Sequence, residues 1–202
     1  MLTTKEAIEL RRSIRKFKAD PVPENILYEL LEDARLAPSG SNAQPWRFKI
    51  VRDENIKKQL AKAAYDQSFI AEAPVVIVCC ADIEGYLRGV VSGLQDLGKI
   101  GAVEDRIVHI ISDRTERMMA LNLEQFGQRI TFNVAIAIEH IVLRALDFGL
   151  GTCWVRLIDE QVIRTIFGWD ETVSVVALLP LGYPDESPAP RRRKTIEEII
   201  IK

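Results

Sequence analysis

Three arginines and a hydroxyl lie within five residues in Arg11-Arg12-Ser13-Ile14-Arg15. A guanidinium is a planar fork of donors that matches phosphate oxygens, and a serine adds a short donor. The cluster suits a phosphate or a polyol carrying one. It also suits a solvated cationic face where a helix ends. A second basic run, Arg191-Arg192-Arg193-Lys194, follows prolines at 184, 188 and 190. It reads either as a basic surface tail or as a second phosphate clamp. The fixed prolines favour placed arginines over floating ones. Between the two runs lies Pro38-Ser39-Gly40-Ser41-Asn42-Ala43-Gln44-Pro45-Trp46. Asn42 and Gln44 each carry a donor and an acceptor, which the edge of a flat heteroaromatic ring requires. An ordinary helix-to-strand loop has much the same composition. Trp46 reads as a core residue.

The run Gly149-Leu150-Gly151-Thr152-Cys153-Trp154-Val155-Arg156 contains a Gly-x-Gly. A dinucleotide fingerprint would leave a strand and enter a helix, and would continue to a third glycine. These glycines instead leave a helix and enter a strand. The chain also lacks a Walker loop, a Gly-x-Ser-x-Gly elbow and a His-Glu-x-x-His helix. No side chain offers a strong nucleophile, so an enzyme built from this sequence needs a cofactor to carry the chemistry.

These residues must be positioned by one domain spanning 1–202, since 202 residues fit a single core. The net charge of −2 argues against a dedicated nucleic-acid or anionic-membrane binder. Cys79, Cys80 and Cys153 are an odd set without a Cys-x-x-Cys spacing, and read as buried free thiols in a reducing compartment. With only two histidines, His109 and His140, a histidine-rich metal site is not expected. Residues 1–12 lack the apolar run of a secretory leader, and no stretch is long and apolar enough to span a bilayer. A cytoplasmic protein is expected.

Thr3 and Glu6 are spaced for a capping box at the start of a first helix. Apolar residues at 26, 27, 30, 31 and 34 give a second helix, opened by Pro23 and ended by the loop at 38–42. Residues 46–51 alternate as a half-buried strand does. A helix is expected over 54–64 and a fully buried strand over 75–81. Glycines at 85, 89, 93, 98 and 101 weaken any regular element over 83–111, and Ser112 is placed to cap a helix running to Phe126. The strongest helix, 131–148, is apolar almost all round. It would be buried on most sides, against a second copy of the chain or at the centre of a monomer core. Gly149 is placed to end it. Strands at 152–155 and 173–181 enclose a helix from Asp159 to Phe167. The β-branched end, Thr195 to Ile201, reads as a strand that must find a sheet edge in its own or a partner subunit.

Taken in order, Arg-Arg-Ser-x-Arg, Pro-Ser-x-x-Asn-x-Gln-Pro-Trp, an apolar helix ending in Gly-Leu-Gly-Thr-x-Trp, Gly-Tyr-Pro and a closing Arg-x-Arg resemble the FMN-dependent nitroreductase family. The likeness is close over 11–47 and 131–201 and weak over 83–126, where the family builds its substrate lid. It implies a three-layer α+β sandwich, a mixed sheet with helices on both faces, and a homodimer whose C-terminal strand extends to the partner. FMN would sit at the interface. Arg11, Arg12, Ser13 and Arg15 would hold its phosphate and ribityl, and Arg191 and Arg193 would reach the same phosphate. Pro38, Ser39, Asn42 and Gln44 would come from the other chain, with Trp154, Val155 and Arg156 near the reactive edge of the ring. The implied reaction is ping-pong: NAD(P)H reduces FMN and leaves, and a nitroaromatic, quinone or flavin-type acceptor is then reduced. A dehalogenase-like or non-turnover branch shares the same motifs. From a different class, an anion or nucleic-acid binder would use the two arginine clusters alone.

Overall fold

The computed structural model describes residues 1–119 and 122–201. Its centre is set by β2 (Val75–Asp82), which is apolar and buried along nearly its whole length. Successive side chains of a strand point to opposite faces. Val75, Ile77, Cys79 and Ala81 accordingly enter one core, while Val76, Val78 and Cys80 enter another. A strand without polar alternation is what burial on both faces demands.

The sheet has the order β1-β2-β4-β3, with β1 at Trp46–Val51, β3 at Gly151–Thr152 and β4 at Val173–Gly182. These four strands pair antiparallel. The parallel contribution comes from a bridge between Ser13 and Thr152 at the β3 edge. The pairing of β2 with β4 slips between Cys79 and Cys80, whose partners are Ala177 and Val175. Val176 is the extra residue, and it joins Ala177 in the first core.

One face of the sheet carries α2 (Glu24–Arg35) and α7 (Leu123–Arg144). Leu27, Leu30 and Ala34 meet Ile130, Val134, Ile138 and Ile141 in the first core, all fully or almost fully buried. The opposite face carries α3 (Glu54–Ala63), α4 (Phe69–Glu72) and α8 (Glu160–Phe167), with Leu60, Ile70 and Ile163 in the second core. The result is the expected three-layer α+β sandwich. The first helix, α1 (Thr4–Leu10), opens on the capping box that Thr3 and Glu6 were spaced for.

Three expectations require correction. The glycine-rich stretch is helical: α5 covers Ile83–Lys99 and α6 covers Asp105–Met119. Asp82 caps α5, accepting a hydrogen bond from the Gly85 N–H at 2.7 Å. Ser112 therefore lies inside α6 and caps nothing. The long apolar helix begins at Leu123, capped by Asn122, whose side chain accepts from Gln125 N–H. Finally, Thr195 to Ile199 is no strand. A reciprocal capping box between Thr195 and Glu198 closes one helical turn, α9 (Ile196–Ile199). This local hydrogen bonding outcompetes the β-branched propensity, and Ile196, Ile199, Ile200 and Ile201 stay exposed.

Gly149 ends the helical run with φ 68°, as expected of a left-handed stop. Beyond it, the short β3 is followed by Val155, which exchanges both backbone hydrogen bonds with Leu178. No described helix is long and apolar enough to cross a membrane.

Candidate cofactor groove

The chain leaving α1 lies along the sheet edge. Ile14 N–H donates to Thr152 O at 2.9 Å, Lys18 N–H to Tyr183 O at 2.9 Å, and Asp185 N–H to Lys16 O at 2.9 Å. The side chain of Glu186 accepts from the backbone N–H groups of Arg15 and Lys16. Three sequence motifs far apart in the chain, at 11–18, 151–152 and 182–186, are thereby fastened together. A Cβ on Gly151 would stand 2.5 Å from Ile14 Cγ1. The second glycine of the Gly-x-Gly thus serves close packing against the arginine-bearing segment.

The junction leaves a groove of about 160 Å³. Arg11 and Arg12 stand on one side, Gly151 and Thr152 on another, and Ser187 and Pro188 on a third, over an apolar floor that includes Val142, Leu146 and Leu150. Arg12 folds back, its Nη1 donating to Glu9 O and Arg11 O at 2.8 and 2.7 Å. Ser13 is half-buried, and Arg15 lies 5.9 Å from the centre of the Phe69 ring. The groove also holds the Glu186 carboxylate, which the backbone N–H groups of Arg15 and Lys16 engage, so the guanidiniums of Arg11 and Arg12 over the apolar floor fit an anionic group attached to a less polar body. The half-buried Glu139 on α7 is pushed up by burial, with Arg11 and His140 pulling its pKa back.

Cys153, buried beside this segment, has its thiol pushed up chiefly by burial, while Arg15 pulls it down. Burial also raises Cys79, and raises Cys80 to about 12 from 9.0. An unfolded chain ionises these thiols near pH 9, whereas the folded chain keeps them protonated. Stability contributed this way is complete below pH 9 and declines as pH rises toward 12. The expected slope is about 1.4 kcal/mol per pH unit for each thiol. Chemical denaturation series at pH 8, 9 and 10 should show the fall, and Cys80→Ala should flatten it. An unchanged slope in that variant would assign the fall to other groups.

The loop carrying Pro38, Ser39, Asn42 and Gln44 has an unusual backbone. Ser41, Asn42 and Gln44 have φ values of 52°, 51° and 48°. Left-handed conformations at such residues cost on the order of 1 kcal/mol or more and persist where surroundings over-determine them. Those surroundings are visible. The Gly40 N–H donates to Asn133 Oδ1 at 3.0 Å, and the Gln44 N–H donates to Ser39 Oγ at 3.0 Å. Asn133 is fully buried on α7, and its Nδ2 donates to Ile130 O at 3.1 Å. From the other side, α5 presses its glycines on the loop. A Cβ on Gly89 would lie 2.2 Å from Ala43 O, and one on Gly93 only 1.6 Å from Ser41 O.

The structure thus brings Arg11 and Arg12 to Gly151–Thr152 in one groove and bridges Ser13 to Thr152 beside it, but neither Arg15 nor any of the residues 38–44 lines that groove. Arg191 and Arg193 also stand apart from it. Both are exposed, and Arg193 Nη1 donates to the backbone oxygens of Arg191 and Arg192 at 3.3 Å. Trp154 is half-buried against the first core and Arg156 is exposed; Val155 spends its backbone groups on Leu178. Sequence reasoning missed Asn133, whose signal was a lone amide in the apolar stripe of Ile130, Val134 and Ala137. It also missed the purpose of Gly85, Gly89 and Gly93, whose four-residue spacing marks one face of a helix.

The architecture is that of a three-layer α+β protein with an arginine-lined groove at its sheet edge. The family model described as "Nitroreductase family" matches residues 8–183. A protein of Thermus thermophilus named NADH dehydrogenase is 34% identical over 201 residues, covering 100% of this chain and 96% of its own. A nitroreductase-like protein from Streptococcus mutans superposes with a TM-score of 0.79 at 25% identity, covering 98% of each chain. A protein from Exiguobacterium sibiricum, solved in complex with FMN, gives a TM-score of 0.82 at 23% identity, covering 100% of this chain and 98% of that one. The chain belongs to the nitroreductase family.

Proposed function

We propose that the protein is an FMN-dependent NAD(P)H oxidoreductase that works as a homodimer and reduces nitroaromatic, quinone or flavin-type acceptors by a ping-pong route. The observation that carries this reading is the fastening of the chain just after Arg11 and Arg12 to Thr152, through Ser13 and Ile14, beside a groove that the two arginines line. Family membership and the NADH dehydrogenase name of a 34% identical relative support the oxidoreductase class, and the FMN complex of a protein with this fold supports the cofactor. When bound, FMN supplies the redox chemistry, accepting a hydride from NAD(P)H and passing two electrons to the acceptor.

The chain's own part is to bind and orient. Arg11, Arg12, Ser13 and Arg15 hold phosphate and ribityl by charge-assisted hydrogen bonds. Pockets for ligands of this size run to about 300 Å³ or more, roughly twice the groove in one chain. The remainder comes from a second copy, whose strained loop with Pro38, Ser39, Asn42 and Gln44 contributes the flavin side. Trp154, Val155 and Arg156 flank the ring. Ile8 and Leu10, more than half exposed on α1, belong to the apolar surface this assembly covers. The C-terminal isoleucines then pack on the partner, and Arg191 and Arg193 close over the phosphate.

An absorbance spectrum of the purified protein, with chromatography of any chromophore released by heat, tests the reading. FMN at about one per chain, bleached by NADH and restored by a quinone, is the expected result. A colourless protein that takes up no added FMN would overturn it. Light scattering should give twice the chain mass. Arg193→Ala should weaken FMN retention by about 1.5–3 kcal/mol, the size of a charge-assisted bond; unchanged affinity would leave the tail outside the site.

A further inference from the structure

A second cavity, of about 380 Å³, lies on the other side of the strained loop, among that loop, α5, α6 and α7. Gly40 and Ser41 form one wall. Tyr86, Ile111 and Phe132 supply apolar and aromatic surface, and Arg114 and Arg129 bring two guanidiniums to it. The cavity contains neither member of the Arg11–Arg12 pair, so its positive charge serves something other than the phosphate groove.

The polar and apolar groups are arranged unequally. Tyr86 stacks edge-on against Phe126, with ring centres 5.8 Å apart and planes at 73°. Its hydroxyl reaches the loop, about 4.0 Å from where a Cβ on Gly40 would be. Burial pushes the Tyr86 phenol up while Arg114 pulls it down, and both side chains line the cavity. Asn133 holds Gly40 from behind. Tyr86 and Phe132 give the cavity aromatic surface, Gly40 and Ser41 give it a backbone wall, and Arg114 and Arg129 give it positive charge.

We propose that this cavity is the acceptor subsite and that it selects planar aromatic acceptors carrying a carboxylate, which Arg114 and Arg129 bind. The assignment rests on the oxidoreductase reading above, because the loop it shares is the one assigned to the flavin side. Two guanidiniums around an aromatic slot favour an anionic aromatic over a neutral one of equal shape by direct charge complementarity. Both arginines are solvent-exposed, so the preference is moderate and falls with salt.

The test compares 4-nitrobenzoate with 4-nitrobenzyl alcohol as acceptors for the FMN-loaded protein, using NADH. The same comparison is made for Arg114→Gln, Arg129→Gln and the double variant. The expected result is a KM about five- to tenfold lower for the carboxylate, lost stepwise in the variants and at 0.5 M salt, with kcat and the alcohol's KM unchanged. Titration calorimetry with 4-nitrobenzoate alone reads the same preference without turnover. If the protein bleaches with no donor yet binds 4-nitrobenzoate through Arg114 and Arg129, the oxidoreductase reading fails and the anion-binding cavity stands. Equal affinity for both acceptors, or a preference indifferent to the two arginines, overturns the proposal. So does a variant effect confined to the KM of NADPH against NADH, which would assign the arginines to the donor's extra phosphate.

Discussion

The double variant Arg11→Gln/Arg12→Gln should purify without FMN and take it up about a hundredfold or more weakly than the parent. Each arginine lost from a phosphate removes a charge-assisted hydrogen bond of about 1.5–3 kcal/mol, although two groups on one phosphate do not add in full. Glutamine is shorter but keeps polarity while deleting the charge, and neither arginine is part of the buried core. The melting temperature of the cofactor-free forms should therefore be nearly equal. Equilibrium titration with FMN, followed by quenching of flavin fluorescence, measures the loss. The matching Arg12→Lys variant should recover part of the affinity, because an ammonium restores charge without the planar fork. If the glutamine variant retains FMN at parental affinity, the groove at the sheet edge is not the phosphate site.

The second large effect falls on a residue that touches no ligand. Gly93→Val should destabilise the fold by about 1–3 kcal/mol, the usual range for overpacking, and shift the loop at 40–43. The group in the way is the backbone oxygen of Ser41, 1.6 Å from the added Cβ, and backbone cannot rotate aside as a side-chain tip can. Either α5 lifts or the loop yields its left-handed residues. Both outcomes disturb the segment holding Asn42 and Gln44. Denaturant unfolding should register the stability change. FMN affinity should fall in the same variant, since the segment belongs to the proposed flavin side. Gly98→Val, at a glycine with nothing within 4 Å, is the control and should be neutral or stabilising by a few tenths of a kcal/mol, since valine has the higher helix propensity. Equal behaviour of the two variants would mean the loop is not clamped by α5.

Much of this was legible from residue types alone. The unbroken apolar run of β2 announced a strand buried on both faces, because a one-faced strand would have alternated. Thr3 and Asp159 marked helix starts that the structure reproduces. The first arginine cluster and the Gly-Leu-Gly-Thr run were singled out separately, and the backbone fastens them together. What failed did so for identifiable reasons. Glycines in α5 lower helix propensity, but they are there so that α5 can approach the loop, and the tertiary contact outweighs the propensity. Ser112 looked like a helix start because serine favours caps, yet nothing local distinguishes a capping serine from one inside a helix. The C-terminal isoleucines suggested a strand because their β-branching was weighed and the Thr195–Glu198 spacing was not. The separation of the loop at 38–44 from the arginine groove within one chain left no mark on residue types or spacing; only the family resemblance, which assigns that loop to a second copy, bears on it.

The fastening of residues 14–18 to 151–152 and 183–185 also sets an order in time. Residues 14–18 are made long before those partners, which follow far downstream in the chain. Such distant pairings close late, after local helices have formed and the entropy of a long loop has been overcome. The α2–α7 core can gather earlier. A nascent chain stalled before Gly151 should thus carry all four residues of the Arg11–Arg15 cluster and hold no phosphate. Recovery of FMN binding during refolding would then lag the return of helical signal, making the cofactor a reporter of the final closure.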